Sequence, residues 1–236
     1  TNILILFLFW RKKIHIINGL GRMRGSKVLR KFLLIFFRIG SSNSSFYVQN
    51  YADYRYFKRY CLGPNNLYWS PGSGGVRRIT GKTAGIGVVT RKSKLPNQVK
   101  SIKKFFYDFN TNNRLVLIGV DECNMFSNAA FKCEAKGFVD QSLIFNDFDC
   151  LLIPSGYGEG IPHVFVDAVQ SGISIVLSKT DARHFGLRFV KDIDLRVLHP
   201  DWVLIEANSH GSDVLSRAYI AKQIKLGCDT LAEHVF

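Results

Sequence analysis

Apolar residues in the second two-thirds of the chain come in short unbroken runs, separated by longer stretches of helical period. Gly85–Thr90, Arg114–Val120, Lys132–Val139, Cys150–Pro154 and Ser174–Leu177 read as strands. Leu95–Asn110 and Pro162–Ser171 read as helices, with a short helix over Gln141–Phe148. Strands that are apolar on both faces and joined by helices belong to a parallel sheet covered on each side. Residues 83 to about 220 therefore read as one Rossmann-like unit.

The first third is patterned differently. Asn2–Trp10 reads as a helix end or buried strand, and Lys13–Ile17 as an alternating strand that opens into the loop Asn18-Gly19-Leu20-Gly21. Lys27–Arg38 reads as a helix, Ser41–Ser45 as a polar turn, Phe46–Gln49 as a short strand and Tyr51–Tyr60 as a helix. Asn65–Gly75 holds another short strand and a Gly/Ser/Pro segment suited to a linker. The expected division is residues 1–80 and 81–236.

Composition adds one strong asymmetry. The chain has 236 residues, 47% of them apolar, enough for a sizeable core. Its net charge of +14 lies wholly in residues 1–82, which hold 15 Lys or Arg against the single acid Asp53; the remainder holds 17 of each sign. Such an excess implies an anionic partner, nucleic acid or a membrane surface. Lys27–Arg38 has aliphatic and aromatic residues around most of its circumference, with cations at Lys27, Arg30, Lys31 and Arg38, which suits an interfacial or partly buried helix. Phe32, Leu33, Leu34, Phe36 and Phe37 are its expected apolar surface toward lipid. No aromatic RNA-binding strand is evident, so nucleic acid is the less favoured partner.

Asn2–Trp10 is nine residues long, short of the roughly 20 that span a bilayer. The cations Arg11–Lys13 follow this run instead of preceding it, which disfavours a secretory signal. The chain starts at Thr1 and reads as an internal fragment. The five cysteines (Cys61, Cys123, Cys133, Cys150 and Cys228) show no CxxC pair or zinc spacing, and reduced cytosolic thiols are expected.

The candidate chemistry lies in Ile153–Leu177, a strand, a glycine-bracketed acidic loop, a helix and a second strand. Glu159 and Asp167 are eight positions apart, so on a helix at about 100° per residue they fall roughly 80° from one another after two turns. Both would look into one cleft. Pro162 suits the first helical turn, where free amides and the helix dipole favour an anion such as phosphate. An anionic ligand bearing hydroxyls is the expected guest. An ordinary βαβ unit with two surface acids, one of them a helix N-terminal acid, is the alternative. The histidines, among them His15, His163, His184 and His210, form no recognisable catalytic spacing. Asn18-Gly19-Leu20-Gly21 is not GxGxxG, so its glycines serve a tight turn on this reading.

Ile153–Leu177 resembles the donor-site signature of retaining GT-B glycosyltransferases of family 4, in which Glu, seven residues and Glu follow a "PS…EG.P" strand exit. The similarity runs from about Lys13 to His184. Ile17–Ser26 resembles the family's acceptor-domain "INGLG" strand exit, Phe46–Asn50 its returning strand and Tyr68–Gly75 its "PGSGV" hinge. LVLIGVD and KGFVDQ follow in the family's order. Three positions differ: Asp167 replaces the usual Glu, Pro96 stands where a phosphate-binding Lys is expected after Arg91, and Ala182 stands near a frequent Gly. The front half of the acceptor domain is missing.

The resemblance implies an α/β, GT-B fold of two Rossmann-like domains with parallel sheets, the first incomplete. It implies sugar transfer with retention from a nucleotide diphosphate sugar to a lipid-linked or saccharide acceptor, in surface polysaccharide assembly. Catalytic roles fall to Arg91, on the diphosphate, and Glu159, on the donor sugar. Asp167 would hold the ribose, with Gly158, Gly160, Lys94, Gly19 and Gly21 completing the substrate site. No metal or other cofactor is expected. The expected location is cytoplasmic, peripheral at the inner membrane face. The competing expectation is a degenerate, noncatalytic module that binds an anionic membrane or nucleic acid.

Overall fold

A computed structural model describes residues 13–18, 26–40, 44–60, 66–72, 74–81, 83–111, 113–155, 161–190, 193–206 and 215. Two sheets organise them. The smaller contains β1 (Lys13–Ile17), β2 (Ser44–Val48) and β3 (Leu67–Trp69), parallel and in that order. The helices α1 (Lys27–Gly40) and α2 (Tyr51–Tyr60) connect them. Ser26 caps α1 by accepting from the Leu29 amide at 3.2 Å.

The larger sheet has seven strands in the order β6-β5-β4-β7-β8-β10-β9. These are β4 (Ile86–Val89), β5 (Leu115–Ile118), β6 (Cys133–Ala135), β7 (Cys150–Ile153), β8 (Ser174–Ser178), β9 (Asp194–His199) and β10 (Trp202–Glu206). Its helices are α3 (Leu95–Asp108), α4 (His163–Ser171) and α5 (Lys179–Phe185). The first five strands in sequence are mutually parallel. Winding starts at β4, runs outward to β6, then returns and continues on the other side of β4 through β7 and β8. This is the doubly wound, Rossmann-like α/β plan.

Alternation along each strand explains why both faces need cover. Val116, Ile118, Leu151, Ile153, Ile175 and Leu177 pack on one face with Phe148 and Phe165. Leu115, Leu117, Leu152 and Val176 pack on the other with Ile102, Phe105 and Trp202. Neighbouring residues of a strand serve opposite layers. Each such side chain contributes about 1.5–3 kcal/mol when fully buried.

Several elements depart from the expected ones. Strands β4, β5, β6 and β7 are one to five residues shorter than read from sequence, β1 has the extent read for it, β2 and β8 are each one residue longer, and Gln141–Phe148 forms only a 3-10 turn at Gln141–Leu143. Residues Lys179–Phe185, which follow β8, form helix α5, capped by Ser178. The β9–β10 hairpin is antiparallel and closes one edge of a sheet expected to be parallel throughout. Asn2–Trp10 lies outside the described residues. Among the described residues no helix is long and apolar enough to cross a membrane.

The most consequential correction concerns α1. Phe37, expected to face lipid, is buried in the small sheet's core, edge-on to Phe46 at 5.3 Å and to Phe57 at 4.9 Å between ring centroids. A three-stranded sheet this small must take apolar cover from α1, and Phe37 and the half-buried Leu34 provide it.

Among the cysteines, the Cys123 and Cys133 sulfurs lie 2.6 Å apart; burial first, then this neighbour, raises the Cys133 thiol well above its usual range. Burial also pushes Cys150 up to about 12.

His15 on β1 is buried, stacked on Phe46 at 4.9 Å, with Nε2 lacking a partner among the described residues. Burial, and then the nearby Lys13 charge, lower its pKa below 6.5. The unfolded chain therefore takes up this proton first as pH falls, so stability should drop from about pH 6.5 downward until the folded histidine itself protonates. Urea midpoints measured between about pH 7 and pH 5 should show this fall, and His15→Phe should flatten it.

Candidate functional site

In a doubly wound sheet, ligands bind outside the carboxyl ends of the strands where the winding reverses. Here that point lies between β4 and β7, neighbouring strands that pair Ile86 with Cys150 and Gly87 with Leu151. The chain leaves β4 through Thr90 and Arg91, and leaves β7 through Pro154, Ser155 and the segment 156–160.

Arg91 sits in the turn between β4 and α3. Its carbonyl accepts from the amides of Lys94 and Leu95 at 2.8 and 3.0 Å, and its side chain is exposed. Pro96 follows in the first turn of α3, where a missing amide costs nothing, so the residue that replaces the expected Lys suits the helix start. Lys94 precedes α3 and is half-buried. Thr90 is held from two sides: its amide donates to the Ile118 carbonyl at 2.9 Å, and its hydroxyl donates to the buried Gln98. Gly119, at φ +88°, allows this approach, because a Cβ there would stand 2.2 Å from the Thr90 carbonyl oxygen.

The exit from β7 is anchored by a network that sequence reading missed. The Ser155 amide donates to the Ser101 hydroxyl of α3 at 3.0 Å, and the Ser155 hydroxyl donates to the Asp181 carboxylate of α5 at 2.8 Å. Ser178 donates to the same carboxylate oxygen at 2.7 Å, and its own hydroxyl oxygen accepts from the Asp181 amide at 3.0 Å. Ser178, two residues and Asp181 form a visible capping pattern. Its link to Ser155 depends on the fold.

Glu159, Gly158 and Gly160 lie outside the described residues, as do Gly19 and Gly21. Pro162 is the N-cap of α4, one position before its expected place, with ψ of 145°.

Asp167 is described, and its environment differs from the expected open cleft. The carboxylate is buried: one oxygen accepts from the Val76 amide at 2.8 Å, the other from Nε and Nη2 of Arg78 at 3.2 and 3.1 Å. Ser171, one turn on, accepts from the Arg78 amide at 2.8 Å. Helix α4 thus grips residues 76–78, and Gly75 lies so close that a Cβ there would meet the Val166 carbonyl oxygen at 2.2 Å. A ribose hydroxyl would have to displace Arg78 from this carboxylate. Arg78 has no sequence signal that pairs it with a residue 89 positions away.

One further polar group joins Asp108, His199 and Asp201, whose ligand atoms lie within 4.8 Å of one another. Lys104 Nζ already stands 2.8 Å from Asp108 and 2.9 Å from Asp201, supplying the positive charge a cation would bring. Its ammonium and the Trp202 indole N–H, through hydrogen bonds in that order, hold the Asp108 carboxyl below its usual range.

The arrangement brings an exposed guanidinium and a glycine-bracketed loop to adjacent strand ends. That combination suits an anion in a polar crevice. Compared with models of known protein families and with curated proteins, the sequence matches none.

The Asp167 clamp makes a direct stability prediction. Asp167→Ala removes the acceptor for a half-buried guanidinium and for the Val76 amide, and should lower unfolding free energy by about 2–3 kcal/mol. Asp167→Asn, which keeps one acceptor oxygen, should lose less. Urea unfolding of the two variants measures the difference.

Proposed function

We propose that this chain is the larger part of a retaining GT-B glycosyltransferase, with a nucleotide diphosphate sugar bound by residues 81–236 and an acceptor-side domain represented by residues 1–80. One observation carries the reading: the winding reverses between β4 and β7, and the two chain segments that leave those strands contain Arg91 and the Gly156–Gly160 loop with Glu159. The order of family-like motifs along the sequence supports it.

On this reading the bond between the sugar anomeric carbon and the diphosphate oxygen breaks, and an acceptor hydroxyl forms the new bond on the same face. The hydroxyl proton passes to the departing diphosphate. Negative charge grows on that leaving group as the bond lengthens. Arg91 supplies a two-pronged, permanently charged donor for it, and amides at the start of α4 supply fixed dipoles. Glu159 accepts hydrogen bonds from donor sugar hydroxyls and orients the ring. The acceptor is a lipid-linked or saccharide alcohol in surface polysaccharide assembly, and the enzyme works at the inner face of the membrane.

A second reading, a noncatalytic relative, is favoured by the state of Asp167. Its carboxylate is engaged by Arg78 and Val76, and no lysine stands at Pro96.

Calorimetry with UDP and GDP in the presence of EDTA separates the two. The enzyme reading expects one of the two nucleotides to bind without added metal, and Arg91→Gln to weaken it by about 1.5–3 kcal/mol, the usual worth of a charged hydrogen bond. Glu159→Gln should weaken the sugar nucleotide more than the free diphosphate. If Asp167 serves the ribose, Arg78→Ala should strengthen nucleotide binding despite loosening the fold. Absence of binding to either nucleotide supports the noncatalytic reading, and binding only with magnesium overturns the metal-free site.

A further inference from the structure

Helix α1 has two apolar faces, and among the described residues only one of them is covered. At about 100° per residue, Val28, Phe32, Ile35 and Ile39 fall within roughly 60° of arc. Phe37, in the core, lies on the opposite side. The outer four are 66%, 55%, 55% and 54% exposed, which for residues of this kind aligned over three turns is a continuous apolar stripe. Lys31 and Arg38 lie some 70–90° round from this stripe on one flank, between it and the core face.

On that flank the end of α2 approaches. Lys31, Leu34, Ile35 and Arg38 of α1 join Arg59 and Tyr60 of α2 to line an open concavity of about 410 Å³. The Arg59 guanidinium lies 5.3 Å from the centre of the Tyr60 ring, and Tyr60 is itself exposed. Three cations and a phenol thus line a hollow that meets the apolar stripe at Ile35.

We propose that this hollow receives the phosphate headgroup of an anionic phospholipid while the stripe enters the acyl boundary of the same bilayer. Charge complementarity selects the occupant. A protein partner would meet three cations beside a narrow apolar ridge, whereas a lipid leaflet offers phosphate and hydrocarbon stacked at this spacing. Nucleic acid satisfies the cations but leaves the stripe in water. The inference deepens the reading of a lipid-linked acceptor under the proposed function, and it rests on that reading for its purpose but on α1 and α2 for its geometry.

The test is vesicle co-sedimentation of the full chain, with phosphatidylcholine alone and with added phosphatidylglycerol, at low salt and near 1 M salt, where the Debye length is about 3 Å. Lys31→Gln with Arg59→Gln should lower partitioning into anionic vesicles by about fivefold per cation at low salt and leave the neutral vesicles unaffected. Phe32→Ser with Ile35→Ser should abolish the fraction that survives high salt. The proposal is overturned if the apolar variant sediments like the parent, or if a single-stranded oligonucleotide is held more tightly than anionic vesicles. If the apolar variant turns a dimer into a monomer by light scattering, or lowers the melting temperature of the free protein, the stripe is covered by a second copy or by the chain itself and the membrane assignment fails. UDP and GDP calorimetry on the same preparations keeps failure here distinct from failure of the donor site.

Discussion

A parallel sheet has no hairpins, so every return of the chain is a crossover that covers one of its faces, and the direction of winding decides which face. Starting in the middle at β4 and winding first one way and then the other covers both faces. It also leaves a gap at the carboxyl edge between β4 and β7, where successive crossovers diverge. The candidate site follows from this constraint. Arg91 and the loop after Ser155 are neighbours because the strands that carry them are neighbours, although more than sixty residues separate them in sequence.

A buried and a half-buried carboxylate hold the elements around this gap. Asp181 joins Ser155 to Ser178, fixing the exit of β7 to the start of α5. Asp167 joins α4 to residues 76–78, which follow the small sheet and precede the large one. Both accept more than one hydrogen bond, which for the buried Asp167 offsets the loss of water. The two sheets meet again where Tyr51 of α2 lies 4.6 Å from Phe189, ring to ring, and packs against Gly186, where any Cβ would clash with the tyrosine. The small sheet and its helices are therefore positioned by contacts to α4 and to the segment after α5, the same elements that bound the crevice.

The basic first third divides its work by helix face. Phe37 turns inward to close a core that three short strands cannot build alone, and Val28, Phe32, Ile35 and Ile39 are left outside with Lys31 and Arg38 beside them. Composition announced a charged, greasy helix but assigned the wrong aromatic to the surface. The direction of the core is a tertiary fact, and in a helix apolar nearly all round no periodicity reveals it.

Sequence alone determined the alternation of strand and helix from residue 86 to residue 177, the extent of α2, the starts of α1 and α3, and the clustering of charge before residue 83. These depend on local period, on turn residues and on composition, each of which acts over a few positions. Tertiary structure decided the rest. It ordered the strands and made β9 and β10 antiparallel, because edge pairing depends on which strand end is free. It tied Ser178 and Asp181 at the start of α5 to Ser155 at the exit of β7. It also moved Asp167 from an expected open cleft to a buried clamp on Arg78. That last pairing spans 89 residues, and short-range patterns carry no record of contacts made at such a distance.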